Sequence, residues 1–419
     1  MRVIGTLFSF EMKKILARKS TWITFAVLLG FYFVFTLMPL SVQYAVTAAQ
    51  QETDSSGGAV KTDSYTETFW DEKIKRRDNG IALSGRKLDD DMLQEMWRES
   101  EALGKKRDSM SLQEYDDKAK RYKLADSAIT SLLGEENPTS DDGSIRYGQL
   151  MEGRNRYIVQ MQDHYQLSDA ERKFWQQREK KVDKPFTLQY AEPFENLVGM
   201  PGCYMGLLLV TFLIAVAVSR IFTEEHARKV DQLALSSRYG KRHLYFAKIL
   251  AGTVFTFIFT AAMTGVIFLT TFILYGTEGA SCAVQLFAGW YSYPMSMGEA
   301  ALIMLGIEFL AALLTSIFTM VVSERFRSNI TAIALVTGIT IGGRLLTVPA
   351  AFRVLSQIWN YLPINLLKEE NFFDLRLVSL FGVKFTCWQF APILYSILGI
   401  LLVLLGKRIY CNYQVGGKE

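Results

Sequence analysis

Residues Phe222 to Lys248 read FTEEHARKVDQLALSSRYGKRHLYFAK and join two long apolar runs. From Arg220 to Lys248 there are seven Lys or Arg against three Asp or Glu. That is too much charge for hydrocarbon, where even one uncompensated ion costs several kcal/mol. The stretch therefore lies in water between two membrane crossings, and this placement sets the fold.

Outward from it, apolar residues cluster in runs of about 20, enough to cross a hydrocarbon core of roughly 30 Å at about 1.5 Å per residue. Six runs qualify: 21–42, 197–221, 249–275, 299–322, 329–350 and 390–406. Each is expected to be helical, because an open strand edge in lipid leaves backbone groups unpaired. The expected fold class is an all-α integral membrane protein, with six transmembrane helices and a large, mainly helical extracellular domain between the first and second. The 419 residues divide into an amphipathic helix at 1–20, the first span at 21–42, the extracellular domain at 43–195, a five-helix remainder at 196–410 and a tail at 411–419.

Orientation follows from the short loops. With both termini cytoplasmic, the cytoplasmic segments hold 17 Lys and Arg, whereas the two short outer loops hold four: Arg353, Lys368, Arg376 and Lys384. This asymmetry obeys the positive-inside rule. The net charge of +4 is then a sum of a basic inner face and an acidic outer domain, and it implies no nucleic-acid partner. No cleavable signal peptide is expected, the first span serving as its own insertion signal. Of four cysteines, Cys282 and Cys387 share the outer side, where a bridge between them is possible.

Within the outer domain, 51–64 is rich in Ser, Gly, Thr and Asp and reads as a linker. Helices are expected over 88–103, 112–133 and 146–162, and Ser168-Asp169-Ala170-Glu171 reads as a capping box opening a fourth. The loop 276–298 carries Trp290, Tyr291 and Tyr293 with almost no charge and is expected to rest on the membrane surface.

The central stretch resembles the first cytoplasmic loop of type-2 ATP-binding-cassette (ABC) transporter permeases. The residues that carry the likeness are the acidic pair Glu224 and Glu225, the run Leu233-Ala234-Leu235-Ser236-Ser237, the turn at Gly240 and Lys248 opening the next span. Phe10-Glu11-Met12-Lys13-Lys14 is similar to the opening of the family's elbow helix. The resemblance implies that 222–248 is a coupling loop docking on a cytoplasmic ABC ATPase subunit, with Glu224, Glu225, Arg228, Val230, Asp231, Leu233, Leu235 and Arg238 at the contact. It implies a second permease, the same or a related chain, and a re-entrant outer segment at 351–389. ATP and Mg would be bound by the ATPase, with no cofactor in this chain. The read-out location is the cell membrane, taken as bacterial, in contact with lipid. A plain solvated basic turn is the other reading of the central stretch.

Two ionisable residues fall inside spans, Glu308 in the fourth and Arg344 in the fifth. At similar depth on neighbouring helices they are expected to form an ion pair or share a polar cavity, either to orient the helices or to serve substrate passage. Enzyme chemistry finds no support. No G-x-x-x-x-G-K-[ST] phosphate loop, H-E-x-x-H or G-x-S-x-G occurs, and the three histidines, His164, His226 and His243, are dispersed. The chain therefore reads as the permease subunit of an exporter of an amphipathic, lipid-like or peptide substrate. The alternative is a sensor whose extracellular domain binds a peptide or cell-envelope ligand and signals to a cytoplasmic partner.

Overall fold

The computed structural model describes residues 2–50, 61–134, 144–228 and 239–412. It begins with α1 (Arg2–Leu16) and α2 (Lys19–Leu37), followed by an antiparallel pair, β1 (Gln43–Gln50) and β2 (Lys61–Thr68), in which Gln43 pairs with Thr68 and Gln50 with Lys61. Next come α3 (Phe69–Leu83), α4 (Asp90–Lys105), α5 (Leu112–Ala119), α6 (Lys123–Leu133), α7 (Tyr147–His164) and α8 (Asp169–Glu179). Then α9 (Glu192–Val198), α10 (Met205–Ala217) and α11 (Arg220–Ala227) lead to the central connector. Beyond it run α12 (Arg242–Tyr275), α13 (Met297–Phe326), α14 (Asn329–Leu345), α15 (Arg353–Asn360), α16 (Pro363–Leu366) and α17 (Glu369–Phe372). A small pair, β3 (Val378–Leu380) and β4 (Val383–Phe385), precedes the last helix, α18 (Cys387–Asn412).

Among the described residues, five segments are long and apolar enough to cross a membrane: Lys19–Ser41, Met200–Ala227, Arg242–Tyr275, Met297–Phe326 and Cys387–Asn412. They make this a multi-pass membrane protein. Side chains such as Ile23, Val27, Ile258, Leu302 and Leu401 are more than half exposed on these helices, a surface suited to hydrocarbon rather than water. The expected sixth crossing at 329–350 is shorter than the sequence implies. The helix there, α14, has 17 residues, about 25 Å against a core of roughly 30 Å. It stops because Pro349 disfavours helix at the residue before it, and the backbone is already extended at Leu346.

The chain packs as two units. One comprises Met1–Phe31, Asn196–Thr271 and Ala301–Glu419; the other comprises Tyr32–Glu195 and Phe272–Ala300. The first is the apolar bundle. Small and aromatic residues alternate in its core: Ala247, Ala251 and Phe255 of α12 are buried, and Phe255 stacks on Phe259 at 4.4 Å between ring centres. α10 packs along α14, and α14 meets α16. Between α9 and α10 the chain makes a π-helical turn at Met200–Tyr204, where Gly202 leaves the helical region at φ −87° and ψ −122°. A β-carbon at Gly202 would collide with the Leu197 backbone, so close approach requires glycine there.

The second unit is polar and corrects several expectations. It is mainly helical, with the pair β1 and β2 near its start; 61–64 lies in β2 rather than in a linker, while 51–60 falls outside the described residues. The helix expected over 112–133 is broken into α5 and α6 by a 3-10 turn at Lys120–Tyr122. The Ser168 capping box is present: Glu171 accepts from the Ser168 backbone and hydroxyl, both at 2.8 Å. Helix α3, which the sequence reading left unassigned, opens with a second box between Thr68 and Asp71.

The segment 276–298 is spent inside this unit, not on a membrane surface. Val284, Trp290, Tyr291 and Tyr293 are buried, and Tyr293 meets Trp175 edge-on at 4.6 Å. Arg154 of α7, without exposed surface, donates to the carbonyls of Gly289 at 2.8 Å and Tyr291 at 3.3 Å, and pairs with Glu179 of α8 at 2.5 Å. Burial opposes ionisation of Glu179, but Arg154 and then Lys184 outweigh it and hold the carboxyl below its usual range. The expected domain at 43–195 is thus completed by a stretch from between α12 and α13. All four cysteines are free, so Cys282 and Cys387 are not bridged.

Candidate functional site

The central connector is approached through α11, and its acidic pair builds a cluster with α1 and α12. On α1 the residues Glu11, Lys14, Ile15 and Arg18 follow the i, i+3, i+4, i+7 spacing that puts side chains on one face, Arg18 lying just past the helix end. Ile15 and Glu11 are buried on that face. Lys14 bonds Glu11 at 2.9 Å and Glu225 at 3.4 Å. Arg18 pairs with Glu224 and donates to the Ala217 carbonyl at 3.2 Å.

Successive residues on a helix point about 100° apart, so Glu224 and Glu225 reach different partners. Glu224 takes Arg18 and, four residues on, Arg228 at 2.6 Å. Glu225 takes Lys14 and, at 2.9 Å, Lys248 of α12. Lys248 has no exposed surface; it also lies 3.5 Å from Glu11 and donates to the Ile221 carbonyl at 2.8 Å. Three carboxylates (Glu11, Glu224, Glu225) thus face the buried Lys248 and the half-buried Lys14 and Arg18, with Arg228 exposed at the rim. Burial works against the charge on Lys14, but Glu11 and Glu225 prevail and raise its pKa above the ordinary lysine value. Beside the cluster, His226 lies 3.4 Å from Glu324 of α13, and Tyr410 of α18 donates to the Gly240 carbonyl at 3.3 Å. Every helix named here is thereby tied to one of the connector's two ends.

A second polar site lies deeper in the bundle. Glu308 of α13 is fully buried and accepts from the Thr264 hydroxyl of α12 at 2.7 Å, with the Cys203 thiol as its other polar neighbour. Gly206 of α10 makes room for it: a β-carbon there would stand 2.5 Å from Glu308 Oε1.

The expected pairing of Glu308 with Arg344 is not made. Arg344 is exposed at the end of α14, its guanidinium 3.7 Å from the Met200 sulfur, near Lys368, which donates to the Gly343 carbonyl at 2.9 Å. Depth arithmetic placed the two at one level, but helix phase turns Glu308 toward α10 and α12.

Of the residues singled out in the connector, Glu224, Glu225 and Arg228 join the cluster, while Val230, Asp231, Leu233, Leu235 and Arg238 lie outside the described residues. The sequence reading gave Lys14 and Arg18 no carboxylate partners. The available signal was the spacing of Glu11, Lys14 and Arg18 on the face that carries Ile15. Among the described residues, no group of three or more His, Cys, Asp or Glu is arranged to hold a metal ion. No protein-family model, no curated protein and no solved structure matches the chain.

Proposed function

We propose that the chain is the membrane-spanning permease subunit of an ABC transporter, exporting an amphipathic, lipid-like or peptide substrate with ATP hydrolysed by a separate subunit. The observation that supports it is the ion-paired cluster. The connector's entry helix is joined to both α1 and α12 by buried charges, so a displacement of the connector is delivered to two helices at once. In this reading the connector and both termini are cytoplasmic, and the five long helices together with α14 make six crossings. The unit holding 43–195 is extracellular, α15 to α17 form the re-entrant segment, and a second permease completes the assembly. ATP and Mg belong to the ATPase.

The test is recovery of a nucleotide-hydrolysing partner with the tagged chain from its native membranes. Leu233→Asp with Leu235→Asp should abolish that recovery and leave the amount of folded permease unchanged. Purification without any ATPase, or labelling of Ser236→Cys only from outside the cell, would refute the reading. Transport by Glu308→Gln and Arg344→Met variants then asks whether either residue serves the substrate path.

The alternative, a sensor, is favoured by one feature: the polar unit contains a cavity with charged walls.

A further inference from the structure

Within the polar unit a partly open cavity of about 260 Å³ is lined by α3, α6, the segment 188–195 and the segment 282–287. It falls below the roughly 300–1,000 Å³ of sites for drug-sized ligands, so its occupant is small. Its apolar wall is made by Leu124, Ala128, Leu188, Leu286 and Phe287. Its charged wall is unevenly paired. Glu192 is taken by Lys73, by Arg76 through Nε at 3.5 Å, and by the Tyr190 hydroxyl at 3.4 Å. Glu195 lines the same cavity, and its carboxylate has no hydrogen bond or ion pair among the described residues. The terminal nitrogens of Arg76 likewise have no partner there, and the hydroxyls of Ser127 and Ser131 face the cavity unengaged.

We propose that this cavity binds a free α-amino acid with an apolar side chain, Glu195 receiving its ammonium group and Arg76 its carboxylate. A zwitterion is the ligand that engages the unpaired Glu195 carboxylate and the free terminal nitrogens of Arg76 together without changing the net charge of the site. An amine alone or an acid alone would engage only one of the two groups. The apolar wall accommodates a branched or aromatic side chain, and the two serine hydroxyls supply hydrogen bonds that fix orientation. Burial pushes the Glu195 carboxyl above the usual carboxylate range, with Arg76 and Lys73 opposing and Glu192 adding to the shift. An arriving ammonium adds a positive charge within hydrogen-bonding reach of this carboxyl, which neither Arg76 nor Lys73 provides. The inference does not depend on the transport reading, since it concerns a site within the polar unit alone.

The experiment is isothermal titration of the full chain in detergent micelles with leucine, isoleucine, valine, methionine and phenylalanine, alongside isoamylamine and 4-methylpentanoate. At least one amino acid should bind with a Kd tighter than about 1 mM. Each single-charge analogue, and each of the variants Glu195→Gln and Arg76→Gln, should bind about 10- to 100-fold more weakly. Tryptophan-fluorescence melting checks that the variants are folded, and Ala128→Phe, which fills the cavity from its apolar side, should abolish binding without touching either charge. No saturable heat with any of the five amino acids would overturn the proposal. So would an amine that binds as well as leucine, or unchanged affinity in folded Glu195→Gln.

Discussion

The Lys248 ammonium, with no exposed surface, lies 2.9 Å from the Glu225 carboxylate and 3.5 Å from Glu11, and so ties α11, α12 and α1 at one point. A buried cation of this kind is sustained only by its partners. Lys248→Met should therefore strand two carboxylates and cost about 3–5 kcal/mol. Glu225→Gln added to it should recover part of that loss. Thermal midpoints in detergent of the two single variants and the double variant measure the coupling. Additive losses would show that the residues do not act as a pair.

Gly206 and Glu308 share one volume, a methyl at 206 meeting Oε1 at 2.5 Å. Gly206→Ala should destabilise the bundle by about 1–3 kcal/mol, the usual cost of overpacking. Glu308→Ala in the same chain should relieve the clash, so the double variant melts above Gly206→Ala alone. The order of the two melting points decides.

Arg154 holds α7 to α8 and to the carbonyls of Gly289 and Tyr291. Arg154→Met removes this donor from both carbonyls and the cation from Glu179, and should cost the polar unit about 3–5 kcal/mol. Proteolysis should then cut first near 276–298, which mass spectrometry of the fragments would reveal.

Acid should weaken the same unit. Arg86 bonds Glu95 at 3.0 and 2.6 Å and Tyr122 donates to it at 2.8 Å, which together hold that carboxyl down to about 2. A carboxyl with a depressed folded value stabilises fully above its unfolded pKa of about 4.3 and progressively less as pH falls below it. Glu179 shifts in the same direction. Melting midpoints followed by tryptophan fluorescence should fall between about pH 4.3 and 2. Glu95→Gln should flatten that fall, the effect being modest because the Glu95 side chain is 40% exposed.

The spans and the capped helices were legible because their signals are local: a run of apolar residues, or Ser168 three positions before Glu171. What escaped depends on partners distant in sequence. The residues of β1 and β2 carry weak alternation, and each finds its strand identity in the other. The aromatic residues of 276–298 look like a membrane-surface loop until Arg154 and Trp175 are seen to require them. Glu308 and Arg344 were matched by depth, whereas contact is set by rotation about the helix axis, to which a depth count is blind. The cluster at the connector was half visible, its acidic pair apparent and the pairing with Lys14, Arg18 and Lys248 not.

The return of 272–300 to the unit begun at Tyr32 has a consequence for biosynthesis. Trp175 and Arg154 are made well before Tyr293 and Gly289, and two membrane-length segments, Met200–Ala227 and Arg242–Tyr275, must be translated in between. The early portion therefore waits, with Arg154 and Trp175 lacking their contacts to Gly289, Tyr291 and Tyr293, until ribosomal elongation has passed Ala300. A soluble fragment excised at residues 43–195 would remain in that waiting condition permanently.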